Sequence, residues 1–210
     1  MPPLQDGLFP DEQYNGQPIP EDRKGYVMTY NRIVGKIRMR QLRVAPDTRC
    51  TLQAGVSQTG LLLDGSTRRR QFIEHCYAAY SKPPLGSASN ASFGKDPALQ
   101  VKFTGGFAWS NATENKLGTR TTIGQIGSYD GSGFVRDLIS TSRDEYVRAV
   151  DELKDNLWVD EQTRAVIITL NLYNGNYNYY CISQYVIEFS DGGALIATAT
   201  NKASCHQQGD

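Results

Sequence analysis

Histidine is nearly missing from this sequence, with only His75 and His206 among 210 residues. Its scarcity removes the commonest general base and the commonest metal ligand. His75 directly precedes Cys76, and successive residues of a helix diverge by about 100°, so the two make a poor nucleophile and base pair. No spacing of His, Cys, Asp and Glu fits a metal site, and Gly131-Ser132-Gly133 lacks the lysine of a phosphate loop. The acidic pairs Asp151-Glu152 and Asp160-Glu161 are expected on an exposed helix face and an exposed turn. A non-enzymatic chain follows, with no catalytic residue, no metal and no cofactor.

Net charge is missing as well, since Lys plus Arg and Asp plus Glu both number 22. No overall field favours nucleic acid, so the basic clusters Lys36-Arg38-Arg40-Arg43 and Arg68-Arg69-Arg70 are expected to be solvated faces or subunit contacts. No apolar run approaches the ~20 residues of a membrane helix, and the opening Met1-Pro2-Pro3-Leu4-Gln5 has no signal-like charge or apolar region. Alone, these absences point to the cytosol. The 4 cysteines, the Tyr- and Gly-rich loops and two Asn-x-Ser/Thr sequons point instead to a secreted compartment. A fragment of a longer chain reconciles the two.

What the sequence does contain is β-pattern. Arg164 to Phe189 is rich in β-branched and aromatic residues and reads as a hairpin. In its first arm Val166, Ile168, Leu170 and Leu172 oppose Thr169 and Asn171. In its second, Cys181, Tyr185, Ile187 and Phe189 are expected on the buried side, alternating with Gln184 and Glu188. Asn174-Gly175-Asn176 is expected to turn the chain with positive φ. Tyr26 to Val44 reads as strand, with Lys36, Arg38 and Arg40 opposing Ile37 and Met39; the change of side at Leu42 and Val44 predicts a bulge or a strand end. Phe134 to Ile139 and Ala194 to Ala199 are expected as short strands.

Two helices are predicted, Ser66 to Tyr80 and Ser142 to Leu157. The second has Ser142 with Glu145 as a capping box and Tyr146, Val150, Leu153 and Leu157 on one face. Residues 1–25, rich in proline, are expected to form an extended or poorly ordered arm, residues 26–200 the domain, and 201–210 a polar tail. Within the domain, Lys82 to Gly133 is irregular and carries Phe93, Phe103, Phe107 and Trp109, aromatics that anchor an ordered loop. The order of elements predicts an α+β fold with a mainly antiparallel sheet flanked by helices.

Cys50 and Cys76 suit a disulfide, which would contribute roughly 3 to 4 kcal/mol through loop closure; two buried thiols are the alternative. Cys181 is expected free, and Cys205 is unassigned. Asn90 and Asn111 head the sequons, in the irregular region where a glycan is tolerated.

Taken in order, several strings resemble the polycystin domain of polycystin-2-type TRP channels. They are Ile37-Arg38-Met39-Arg40-Gln41-Leu42-Arg43-Val44 before Cys50, Cys76-Tyr77 with Tyr80-Ser81, Asn156-Leu157-Trp158, and Thr163-Arg164 leading into Leu172-Tyr173-Asn174-Gly175-Asn176. Cys181, Glu188-Phe189 and Gly192-Gly193 complete a match from about Ile33 to Ile196. The chain departs from animal members in its longer Thr51 to Gly65 segment and around Pro83 to Pro97, as a divergent, protist or ciliary member would. The resemblance implies an extracellular or lumenal domain inserted between transmembrane helices 1 and 2, in a cell, ciliary or endoplasmic reticulum membrane. It implies a disulfide between Cys50 and Cys76, an irregular three-leaf clover lobe at about residues 82–133, and four copies that form a lid supporting homotetramer assembly and gating of a calcium-permeable channel. Phe103, Phe107, Trp109 and Tyr177 are candidate subunit or partner contacts. The alternative is an extracellular module binding a glycan or a ciliary or matrix protein.

Overall fold

The computed structural model describes residues 8–10, 12, 15–20, 23–27, 30–47, 59–61, 67–69, 76–82, 86–101 and 105–205. Its strands in chain order are β1 (Tyr26–Val27), β2 (Asn31–Ile33), β3 (Ile37–Val44), β4 (Thr59–Leu61), β5 (Thr67–Arg69), β6 (Ala88–Ser89), β7 (Trp109–Ser110), β8 (Thr122–Ile123) and β9 (Ser128–Tyr129). They continue with β10 (Gly133–Leu138), β11 (Thr163–Asn174), β12 (Tyr179–Phe189) and β13 (Leu195–Cys205). The described helices are α1 (Pro97–Val101) and α2 (Arg143–Asp155). The main sheet is mostly antiparallel β-structure built around β11, which pairs β12 on one edge and β3 and β2 on the other; β10 follows β3, and β13 closes the far side.

The predicted hairpin is its centre. Val166 faces Ile187 and Ile168 faces Tyr185 across the register. Val166, Ile168 and Leu170 join the larger core with Ile37, Leu138, Tyr146, Leu153 and Trp158. The predicted helix forms α2, with the Ser142 hydroxyl accepting from the Glu145 amide and Tyr146 and Leu153 buried on the sheet. Leu157, at φ 55, turns the chain out of it, so that the Trp158 amide reaches the Leu153 carbonyl.

The second face of the sheet differs from the expectation. Ala165 and Ile167 alternate with that core, and are buried in a second cluster with Leu42, Tyr129 and Val186. The central strand is thus covered on both sides, as its unbroken Ala165 to Ile168 run requires. On β12, Val186 and Glu188 are buried whereas Tyr185 is 37% exposed. Cys181 is a free thiol, half-buried rather than buried.

Several expectations need correction. Among the described residues, the span Ser66 to Tyr80 contains no helix. Thr67–Arg69 is a strand paired with Thr59–Leu61, Cys76 bridges to Asp47, and Tyr77 to Tyr80 are irregular. The change of side in β3 is not a break: alternation continues to Val44, and the bulge lies in the partner strand between Thr163 and Ala165. The hairpin's positive φ falls at Asn178 rather than at Asn174 to Asn176. The last strand runs to Cys205 and pairs with the whole of β12, so it extends into the expected polar tail. In the arm, Leu8 is buried in the main core and Phe9 packs its ring 5.3 Å from that of Tyr146. Cys50, Phe103, His75, His206 and the Thr51 to Gln58 stretch lie outside the described residues.

Candidate functional site: a lobe fixed to the sheet by buried charges

The irregular region divides between the two faces of the sheet. On the helix face its aromatics interlock: Phe93 lies 5.2 Å from Phe107 and 5.0 Å, edge-on, from Phe134. Trp109 meets Phe134 at 5.4 Å. The Trp158 indole NH donates to the Gly106 carbonyl at 2.7 Å. Gly106 has φ +88, and a Cβ there would crowd that indole nitrogen, so the turn needs a glycine.

On the opposite face the fastening is by hydrogen bonds to buried charged side chains. Arg40 is 2% exposed. One of its terminal nitrogens donates to the Asp130 carbonyl and, at 3.2 Å, to that of Ser132; the other reaches the Thr122 hydroxyl at 3.0 Å. Burial lowers its pKa to about 10, which leaves it charged at neutral pH. Glu188 is fully buried and accepts from the amides of Gln125 at 2.6 Å, Ile126 at 3.0 Å and Gly127 at 3.2 Å. The Tyr129 hydroxyl completes the set at 2.7 Å. Burial disfavours the carboxylate, but these four donors outweigh it and hold its pKa below the ordinary value. A Cβ at Gly124 would overlap the Glu188 carboxylate. Burial pushes the neighbouring Tyr80 hydroxyl up to about 12.

Two further arginines act on backbone oxygens or at the sheet end. The bulge turns Arg164 onto the segment after Cys76, where it donates to the carbonyls of Ala78 at 3.0 Å and Tyr77 at 2.7 Å. These bonds satisfy carbonyls of the irregular segment Tyr77 to Tyr80. Arg43 pairs with Asp160 at 2.6 Å and lies 3.7 Å from the centre of the Phe93 ring. Of the basic cluster, Arg40 and Arg43 are therefore buried and Arg38 is ion-paired, while Lys36 is exposed as expected, and Asp160 is an anchor rather than a free turn carboxylate.

Beyond these anchors the lobe face opens into a cleft of about 740 Å³. Cross-strand register builds its floor: Asp137 faces Arg38, Arg38 faces Thr169, Thr169 faces Gln184 and Gln184 faces Thr200. Arg38 binds Asp137 through two nitrogens at 2.6 and 2.8 Å and donates to the Leu117 carbonyl of the lobe.

The residues expected at contacts are scattered. Phe107 is fully buried, so its ring is core and not a surface contact, and Trp109 is half-buried. Tyr177 is 71% exposed at the hairpin tip, beside Asn174, whose side-chain oxygen accepts from the Asn176 amide at 3.0 Å. Asn90 is exposed, while the Asn111 side chain closes a local turn by accepting from the Thr113 amide at 3.0 Å. Sequence reasoning missed Arg40, Arg164 and Glu188. The signal was present in β11: apolar residues at both parities mean both faces are covered, so partners of Ala165 and Ile167 must be buried whatever their charge.

Among the described residues no group of His, Cys, Asp and Glu is placed to hold a metal, and no helix is long and apolar enough to cross a membrane. The profile of the polycystin domain matches residues 6–204. The chain is 31% identical over 194 residues to polycystin-2 of Danio rerio, covering 92% of this chain and 18% of that protein. It is 30% identical over 194 residues to human polycystin-2-like protein 1, covering 92% and 21%. With polycystin-2 of Caenorhabditis elegans it is 28% identical over 177 residues, covering 84% and 21%. It thus spans about a fifth of the length of these relatives. A match across nearly all of the sheet, α2 and the lobe establishes that the chain belongs to the polycystin domain family.

Proposed function

We propose that this chain is the extracellular or lumenal domain of a polycystin-2-type cation channel, lying between transmembrane helices 1 and 2 and supporting homotetramer assembly and gating. Family membership over residues 6–204 carries the reading. The clamped lobe supports it, because a lobe that transmits force between subunits must not move independently of its sheet. In this reading Cys50 pairs with Cys76, Asn90 and Asn111 carry glycans, and Trp109 and Tyr177 lie toward neighbouring subunits. Full-length channels carrying Cys50→Ser are expected to yield fewer tetramers and smaller currents; normal assembly and currents would refute the assembly role.

A second reading, a module that holds an extracellular or ciliary-surface ligand, is favoured by the cleft beside the lobe. The buried Phe107 moves that reading away from the aromatic loop. Pull-down from ciliary-surface or matrix extracts tests it, since a pure assembly domain retains no specific partner.

A further inference from the structure

We infer that the cleft on the lobe face binds a sulfate- or carboxylate-bearing oligosaccharide. The inference deepens the ligand-binding reading and does not depend on channel assembly.

The chain has no net charge, yet among the described residues the cleft gathers five cationic side chains against the single carboxylate of Asp137. That carboxylate is neutralised by Arg38, and Arg40 is spent on the lobe. Lys36, Arg120 and Lys202 remain, with no ion pair or side-chain hydrogen bond among the described residues. They come from three parts of the chain, the residue before β3, the lobe loop and β13, and line one concavity. Lysines scattered on a convex surface are simply hydrated; cations brought together by separate elements over a half-covered floor focus their field on one volume.

The remaining lining selects among anions. Thr121, Thr169, Asn171 and Thr200 line the cleft with side chains that have no hydrogen-bond partner among the described residues, and all but Thr169 are exposed, so their hydroxyl and amide groups are open to a ligand rich in hydroxyls. Among the described residues no aromatic ring lines it, which removes the stacking platform that nucleotides use. Its 740 Å³ is within the size range of small-ligand sites.

The test is calorimetric titration of the 210-residue chain with a fully sulfated heparin tetrasaccharide, its desulfated N-acetylated counterpart, and inositol hexakisphosphate. Saturable one-to-one binding of the sulfated sugar is expected, weakened by raised salt and by at least roughly tenfold in Arg120→Glu/Lys202→Glu. Binding of the desulfated sugar, which keeps its carboxylates, is expected to be weaker but lost in the same variant. The control Arg148→Glu/Lys154→Glu, two charge reversals on exposed α2 positions outside the cleft, is expected to bind within about twofold of the parent. Equal loss in both variants means general charge attraction and overturns the site. Preference for inositol hexakisphosphate over both sugars means a phosphate site and also overturns it. No sugar binding, with self-association abolished by Arg120→Glu/Lys202→Glu, assigns the cleft to a second copy of the chain. Each of these three negative results leaves the assembly reading standing, which the Cys50→Ser channels test separately.

Discussion

The two faces of the central sheet are held by different physics. Under α2, apolar side chains of β3, β10 and β11 meet those of the helix and of the segment around Phe93 and Phe107, and fastening scales with buried area. Under the lobe loop, the apolar patch is small, and one guanidinium and one carboxylate supply the backbone of a segment with hydrogen-bond partners it lacks. Such charges are costly to bury, so they stabilise only while every partner is in place. The helix face should therefore fail gradually and globally, and the lobe face abruptly and locally.

The largest expected effect breaks the helix face. Ile37 is fully buried in that core, and Ile37→Ala is expected to cost about 4 kcal/mol, seen as a lower midpoint of urea unfolding with both faces melting together. Glu188→Gln comes next, at roughly 3 kcal/mol, because it keeps the shape but turns an amide NH2 toward amide donors. Here hydrogen exchange should quicken at Gln125 to Tyr129 while α2 stays protected; equal acceleration in α2 would contradict the division between faces.

Acid sharpens the same comparison. Glu188 has a folded-state pKa below its unfolded value, so its contribution is present above the ordinary glutamate range and is lost as pH falls through the depressed value. The stability gap between the parent and Glu188→Gln should therefore close in acid, whereas that between the parent and Ile37→Ala should not. Smallest is Tyr177→Ala at the exposed tip, expected to change stability by less than about 0.5 kcal/mol. A larger loss would mean that the tip is part of the fold.

Legibility followed the same division. Helix α2 and the hairpin were readable because their periodicity and caps are local, and because burying one apolar stripe has few solutions. Arg40, Arg164 and Glu188 were not, since a charged residue in a strand reads as solvated unless its partner is known. Those partners are backbone groups about 60 to 90 positions away, as in the bonds of Glu188 to Gln125 and Arg40 to Asp130. The helix expected at Ser66 to Tyr80 was misread in the same way: its described residues pair outside the span, Thr67–Arg69 with Thr59–Leu61 and Cys76 with Asp47.

By itself the sequence determined the mainly antiparallel sheet, the central hairpin, the capped helix and the resemblance to polycystin domains, all carried by near-neighbour pattern and motif order. Only the tertiary structure decided which charges are buried, that the lobe straddles the sheet, and that a chain without net charge concentrates cations in one cleft. Solvation explains the difference. Hydrophobic pattern depends on a residue's own chemistry, whereas the state of a charge depends on what long-range folding places beside it.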